Sequence, residues 1–80
     1  MATVREVETW FRKGVRDGAI AMLVVMNDYN DMDYPIFVMP QEQFQEKFQL
    51  YDGKDLQRVV AVYLLTQDLA SQMAEPSVYH

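Results

Sequence analysis

The sequence predicts an α+β fold with the element order α-β-β-α-α, in a single domain spanning residues 1–80. Three observations predict it: an amphipathic N-terminal segment, two short apolar runs around a polar turn, and helical spacing toward the C-terminus. Half of the residues are hydrophobic and none is cysteine. The fold is therefore expected to be stabilised by packing, within one chain or between chains, and not by disulfides.

The first helix is predicted over about residues 4–17. Thr3 followed by Glu6 is the pattern of a capping box, and Gly18 is expected to end the helix. Apolar and small residues recur at helical spacing on the predicted inner face. These residues are Val4, Val7, Trp10, Phe11, Gly14, Val15 and Gly18. The opposite, solvated face carries Arg5, Arg12 and Arg16.

A β-hairpin is predicted next, because residues 19–26 and 34–39 are apolar and residues 27–33 are rich in Asn and Asp. Pro35 has no N–H, so it is expected at a sheet edge or near the start of its strand. Both strands are apolar on both faces, which is unusual for a hairpin with one solvated side. Helices would cover one face, and a second chain would cover the other or extend the sheet.

Two helices are predicted after Pro40. The first spans residues 41–51, where aromatic residues recur at helical spacing, and the last begins near Asp55 as N-cap and runs toward Ala74. This last helix has two apolar stripes, and the second is expected to be buried between subunits, with packing against Phe44 and Phe48 of the same chain as the alternative. The high β-propensity of residues 59–65 leaves a strand as the alternative for that block. The second stripe consists of Val62, Leu65, Leu69 and Met73.

Composition excludes several functional classes. The net charge is −5, with one basic and six acidic residues in residues 20–53, which disfavours non-specific binding to nucleic acid. No apolar run approaches the roughly 18 residues of a membrane span, and the N-terminus lacks an apolar signal region. These features predict a cytoplasmic protein that does not bind membranes.

Catalytic residue types are scarce. The single histidine is His80, cysteine is absent, and the three glycines do not form a phosphate-binding loop. We therefore expect a non-enzymatic protein without a cofactor. The acidic turn offers oxygen ligands for a divalent cation, but its spacing fails the EF-hand pattern, so ordinary turn chemistry is the preferred interpretation. The ligands considered are Asp28, Asn30, Asp31 and Asp33.

Two sets of residues are candidates for binding. Arg5, Arg12 and Arg16 would suit a phosphate or carboxylate, although a solvated helix face is the favoured interpretation. Tyr29 and Tyr34 suit recognition and cross-strand packing equally well. For a homo-oligomer, the expected interface comprises the second stripe together with two strand residues. These residues are Val62, Leu65, Leu69, Met73, Ile36 and Val38.

The segment 18–38 contains Gly18-Ala19, the apolar run Met22-Leu23-Val24-Val25, and the hairpin sequence Asp33-Tyr34-Pro35-Ile36-Phe37-Val38. It resembles a family of small uncharacterised bacterial and phage-borne proteins, whose segment reads approximately G-A-T-H-M-I-V-V-C-D-T-F-D-Y-E-D-Y-P-V-Y-V. Residues 59–69 resemble that family's final helix more loosely. Ala21 and Met26 stand where the family tends to have His and Cys. The resemblance implies an architecture and a structural or binding role, and carries no activity.

The sequence thus favours a small acidic protein that acts by binding, as a homo-oligomeric protein-interaction module. One alternative is a phage or mobile-element protein that counters host defence, by binding a defence protein or by sequestering a nucleotide signal at a subunit interface. That signal would meet Arg5, Arg12 or Arg16 and Tyr29 or Tyr34. A second alternative is a regulator that binds a divalent cation through the acidic turn.

Overall fold

The computed structural model describes residues 2–74 and confirms the α+β class, with three helices and three strands in that range. The longest helix, α1, has 13 residues, and none within residues 2–74 has the length and apolar character needed to cross a membrane. The elements are α1 (Val4–Arg16), β1 (Ala21–Asn27), β2 (Met32–Val38), α2 (Phe44–Tyr51), β3 (Gln57–Leu64) and α3 (Leu69–Ala74).

Helix α1 begins and ends with the motifs that the sequence predicts. The Thr3 hydroxyl accepts a hydrogen bond from the Glu6 backbone N–H at 3.1 Å, and the Glu6 carboxylate accepts one from the Thr3 N–H at 3.1 Å. At the other end, Gly18 has a φ of 83°, and the Ala19 N–H donates to the Gly14 carbonyl at 2.9 Å. This left-handed turn is a Schellman motif, which explains why glycine follows the helix.

The three strands form one antiparallel sheet in the order β2-β1-β3. The predicted hairpin is confirmed, because β1 pairs with β2 along its whole length. Pro35 lies opposite Val24 on the edge strand β2, as its missing N–H requires. The central strand β1 contributes Leu23, which is in register with Ile36 on one side and Val62 on the other.

The predicted last helix from Asp55 to Ala74 is wrong. Residues 57–64 form the strand β3, so the strand alternative for residues 59–65 is confirmed, and only Leu69–Ala74 is helical. Two physical reasons favour the strand: β-branched Val59, Val60 and Val62 suit a pleated surface, and the apolar β1 would otherwise leave one edge unpaired. Asp55 lies in the turn before β3 and does not cap a helix.

Both faces of β1 are covered within one chain. On one face, Met22 and Val24 pack with Val7 of α1 and with Leu65. Leu69 and Met73 of α3 pack against these residues. On the other face, Leu23 and Val25 pack among aromatic residues of α2. The expectation that a second chain must cover one face is therefore wrong for the central strand, because the eight-residue helix α2 covers it. The aromatic residues of α2 are Phe44, Phe48 and Tyr51.

Helix α1 approaches the sheet closely at Gly14. A Cβ atom at this buried position would lie 2.6 Å from Leu65 Cδ1 and 2.7 Å from Phe37 Cε1. The inner face is therefore confirmed at Val7 and Gly14, but three of its predicted members, Val4, Val15 and Gly18, are exposed. Val4 and Val15 are 58% and 50% exposed, because the core side of the helix is centred on Val7 and Gly14 and both valines lie at its flank.

Candidate functional site

An open cleft of about 720 Å³ lies between α1 and α3. Its α1 wall consists of Val4, Glu8, Phe11 and Arg12. Its α3 wall consists of Gln67, Asp68, Leu69, Ala70, Met73 and Ala74. Apolar side chains line both walls and charged groups stand among them, which is the common composition of a protein-binding groove.

The α1 wall follows helical geometry. Val4, Glu8 and Arg12 follow one another at intervals of four residues, and Phe11 lies three residues after Glu8, so all four lie along one side of the helix. Glu8 and Arg12 form an i,i+4 ion pair with 3.6 Å between Oε2 and the guanidinium nitrogen. The Arg12 side chain is largely exposed and the Glu8 side chain is partly exposed, so this pair contributes little to folding.

The α3 wall depends on Gln72. A helix of six residues is not stable by itself, so its position is set by contacts with β3. The Gln72 amide accepts a hydrogen bond from the Leu64 N–H at 2.6 Å and donates one to the Leu64 carbonyl at 2.8 Å. Asp68 caps the helix by accepting from the Ser71 N–H at 3.0 Å. These bonds hold Leu69 and Met73 opposite α1.

The cleft brings together residues that the sequence analysis assigned to two different predicted sites. Arg12 belongs to the predicted ligand-binding set, whereas Leu69 and Met73 belong to the predicted subunit interface. Arg5 and Arg16 are exposed on α1 and do not line the cleft. Arg16 lies 3.6 Å from the Asp17 carboxylate instead. Sequence reasoning missed Val4 and Glu8 as site residues, because it assigned Val4 to the inner face of α1 and gave no role to Glu8.

The predicted interface stripe does not exist as a helix face. Val62 lies in β3 and packs on the α2 side of the sheet, whereas Leu65 is buried on the α1 side. Ile36 is half-buried and Val38 is fully buried, both on the α2 side. The spacing of the stripe indicated a helix because apolar residues of a strand, a turn and a short helix recur by coincidence at helical intervals. Only Leu69 and Met73 remain together at a surface.

The two tyrosines of the hairpin have different environments. Tyr29 is 84% exposed at the turn between β1 and β2. Tyr34 is half-buried on the α2 side of the sheet, and burial, with a smaller contribution from Tyr51, raises the pKa of its phenol above the usual 10.0. Tyr34 therefore acts in cross-strand packing, and the sheet separates it from the arginines of α1.

The polar side chains of the hairpin turn bond mainly to nearby backbone. Asn27 Oδ1 accepts from the Tyr29 N–H at 2.8 Å, and Asn30 Oδ1 accepts from the Met32 N–H at 3.0 Å. Asp28 pairs with Arg58 of β3 at 3.4 Å, and the Asp33 carboxylate accepts from the Ala2 N–H at 2.7 Å. The two Asn bonds are the Asx bonds expected of a turn, whereas Asp28 and Asp33 bind residues distant in sequence. Within residues 2–74, no group of three acidic or imidazole side chains has a metal-binding arrangement.

The turn before β3 contains a strained residue. Asp55 and Leu56 have φ values of 52° and 61°, and the Gln57 N–H donates to the Lys54 carbonyl at 2.9 Å. This is the geometry of a type I′ turn, which favours Asn or Gly at its central positions. Asp tolerates the left-handed region, but Leu does not. The Leu56 side chain is exposed and packs little in return.

Leu56→Gly is expected to raise the free energy of unfolding by about 0.5–1 kcal/mol, because glycine adopts a positive φ without the Cβ clash. Urea unfolding followed by circular dichroism measures the change. Leu56→Ala is the matched control, since alanine removes the same exposed side chain but keeps the Cβ atom. Equal stability of the alanine and glycine variants would contradict the assignment of strain to Leu56.

Both sheet edges are partly closed to pairing with another strand. On β3, the Val59 N–H donates to Asp52 Oδ1 at 3.1 Å, and Gln72 binds both backbone groups of Leu64. On β2, Pro35 has no N–H to donate. Prolines and side chains that occupy backbone groups are common means of protecting edge strands. The α1–α3 side of the molecule therefore offers a more accessible surface for association than the sheet edges.

Comparisons of this chain with protein-family models, with curated proteins and with solved structures give no match. The resemblance of residues 18–38 to the bacterial and phage-borne family stays a prediction.

Proposed function

We propose that the protein is a non-enzymatic interaction module that self-associates through the α1–α3 cleft. The observation that carries the proposal is the apolar lining of this open cleft, where an exposed valine stands beside Phe11, Leu69 and Met73. Exposed apolar surfaces of this kind on soluble domains commonly mark binding sites. The valine is Val4, which lies at the flank of the core-facing side of α1 and is exposed.

The hydrogen bonds that already occupy the sheet edges support the α1–α3 cleft as the contact surface. Side chains of the same chain bind the Val59 N–H and both backbone groups of Leu64, and β2 contains Pro35. A second copy that added its strand to either edge would have to displace these bonds or leave groups unpaired, which costs free energy. A second copy at the cleft would meet no such cost.

Val4→Glu tests the proposal. Val4 is exposed and lies in the first turn of α1, where a carboxylate interacts favourably with the helix dipole, so folding is expected to be unaffected. A buried carboxylate at the contact would raise the dissociation constant of the dimer at least about tenfold, which corresponds to about 1.4 kcal/mol. Sedimentation velocity over a range of micromolar concentrations measures this constant.

Leu50→Glu is the matched control. Leu50 is 60% exposed, close to the 58% of Val4, but it lies on α2 at the opposite face of the sheet. The substitution adds the same charge and removes a similar exposed apolar side chain. We expect the wild type and Leu50→Glu to associate equally. A wild type that sediments as a monomer throughout, or equal weakening by both variants, would overturn the proposal.

A further inference from the structure

We infer that two copies associate through antiparallel α1 helices, related by a twofold axis that crosses the helix between Glu8 and Arg12. The inference rests on the proposed self-association and adds its geometry. It starts from the exposed valines of α1, Val4 and Val15, which flank the core side of the helix near its two ends. Glu8, Phe11 and Arg12 lie between them on the same side, at helical spacing.

The order of residues along this side is self-complementary. From the N-terminus it is Val4, Glu8, Arg12 and Val15. A twofold axis reverses the second helix, so each valine near one end meets the other valine of the second copy, and each Glu8 meets an Arg12. A parallel arrangement would place Glu8 against Glu8 and Arg12 against Arg12. Like charges in contact are unfavourable, so the charge order selects the antiparallel arrangement.

The charged groups are available for contacts between copies. The Glu8–Arg12 pair within one helix has a 3.6 Å separation and exposed side chains, so it contributes little that would be lost on exchange. Across the twofold axis, the same two residues form two pairs. These pairs determine the orientation of the copies, while the valines and Phe11 contribute apolar contact.

The proposed dimer uses the whole side of α1 together with the neighbouring cleft. A stable interface buries about 800 Å² on each partner. That area is about one-seventh of the accessible surface of 5511 Å². With the second α1 lying along the α1–α3 cleft, Leu69 and Met73 border the helix pair, and Val15 extends the contact past the cleft.

Charge exchange tests the twofold arrangement. Glu8→Arg places two arginines against each other at the axis, and Arg12→Glu places two glutamates there. We expect each single variant to dimerise at least tenfold more weakly than the wild type. An equimolar mixture of the two variants is expected to form a heterodimer with nearly the wild-type dissociation constant, because every contact then joins opposite charges. Native mass spectrometry distinguishes the heterodimer by mass, and sedimentation gives the constants.

The double variant Glu8→Arg/Arg12→Glu provides the internal control, since it restores opposite charges within one sequence and is expected to form a homodimer. Thermal unfolding of each variant verifies that the exposed substitutions leave the fold intact. Single variants that dimerise like the wild type, or a mixture without heterodimer, would overturn the antiparallel geometry and leave the Val4→Glu result standing. A monomeric wild type would overturn both proposals.

Discussion

Leu23→Ala is expected to lower the free energy of unfolding by about 3–5 kcal/mol. Leu23 is fully buried in the central strand and belongs to the cluster between the sheet and α2. Removing its side chain leaves a cavity between two strands and a helix that cannot all move inward together, so the transfer and cavity contributions add. A domain of 80 residues is typically stable by about 4–12 kcal/mol, so this single loss is a large part of the total.

Urea unfolding monitored by circular dichroism measures the loss as a lower midpoint. Leu50→Ala is the control, because Leu50 is exposed on α2 and its truncation is expected to change stability by less than about 0.5 kcal/mol. A loss below about 1 kcal/mol for Leu23→Ala would contradict the finding that α2 covers this face of β1. The experiment thereby tests whether one chain closes its own core.

Gly14→Ala is expected to destabilise the protein by up to about 2 kcal/mol, although helix propensity by itself predicts a gain of about 1 kcal/mol. The new Cβ atom would lie 2.6 Å from Leu65 Cδ1 and 2.7 Å from Phe37 Cε1, so the helix or both side chains must shift. Overpacking of this kind typically costs about 1–3 kcal/mol, which offsets or exceeds the propensity gain. The sign of the change therefore decides between the two effects.

A double-mutant cycle with Leu65→Ala locates the cause of the loss. Leu65→Ala removes the atom nearest to the new Cβ, so Gly14→Ala is expected to be less harmful in that background. Thermal unfolding of the four proteins gives the coupling between the two sites. Additive losses, or a gain in stability from Gly14→Ala alone, would contradict the close approach of α1 to the sheet.

The functional interpretation depends on where apolar surface remains after folding. The sequence suggested that the two-faced hairpin needs a second chain. In the structure, α2 covers the face of β1 that carries Leu23 and Val25, and α1 covers the face that carries Met22 and Val24. Self-association is therefore proposed on a different basis, the exposed residues of the α1–α3 cleft. Met73, Leu69 and Arg12 belonged to the predicted binding residues, whereas Val4 was assigned to the core.

Local signals determined the elements that depend on neighbouring residues. The capping box at Thr3, the glycine at position 18, the hairpin and the edge position of Pro35 follow from hydrogen bonds and backbone preferences within a few residues. The sequence by itself therefore determined the α+β class, α1, the β1–β2 hairpin and α2.

The tertiary structure alone decided the rest, because it depends on contacts between distant residues. Residues 57–64 carry apolar side chains compatible with helix or strand, and the unpaired edge of β1 selects the strand. Gln72 then fixes α3 through the backbone of Leu64, which creates the cleft opposite α1. Whether Val4 is core or surface depends on how far the sheet extends beneath α1. The residues next to Val4 in the sequence do not determine that distance.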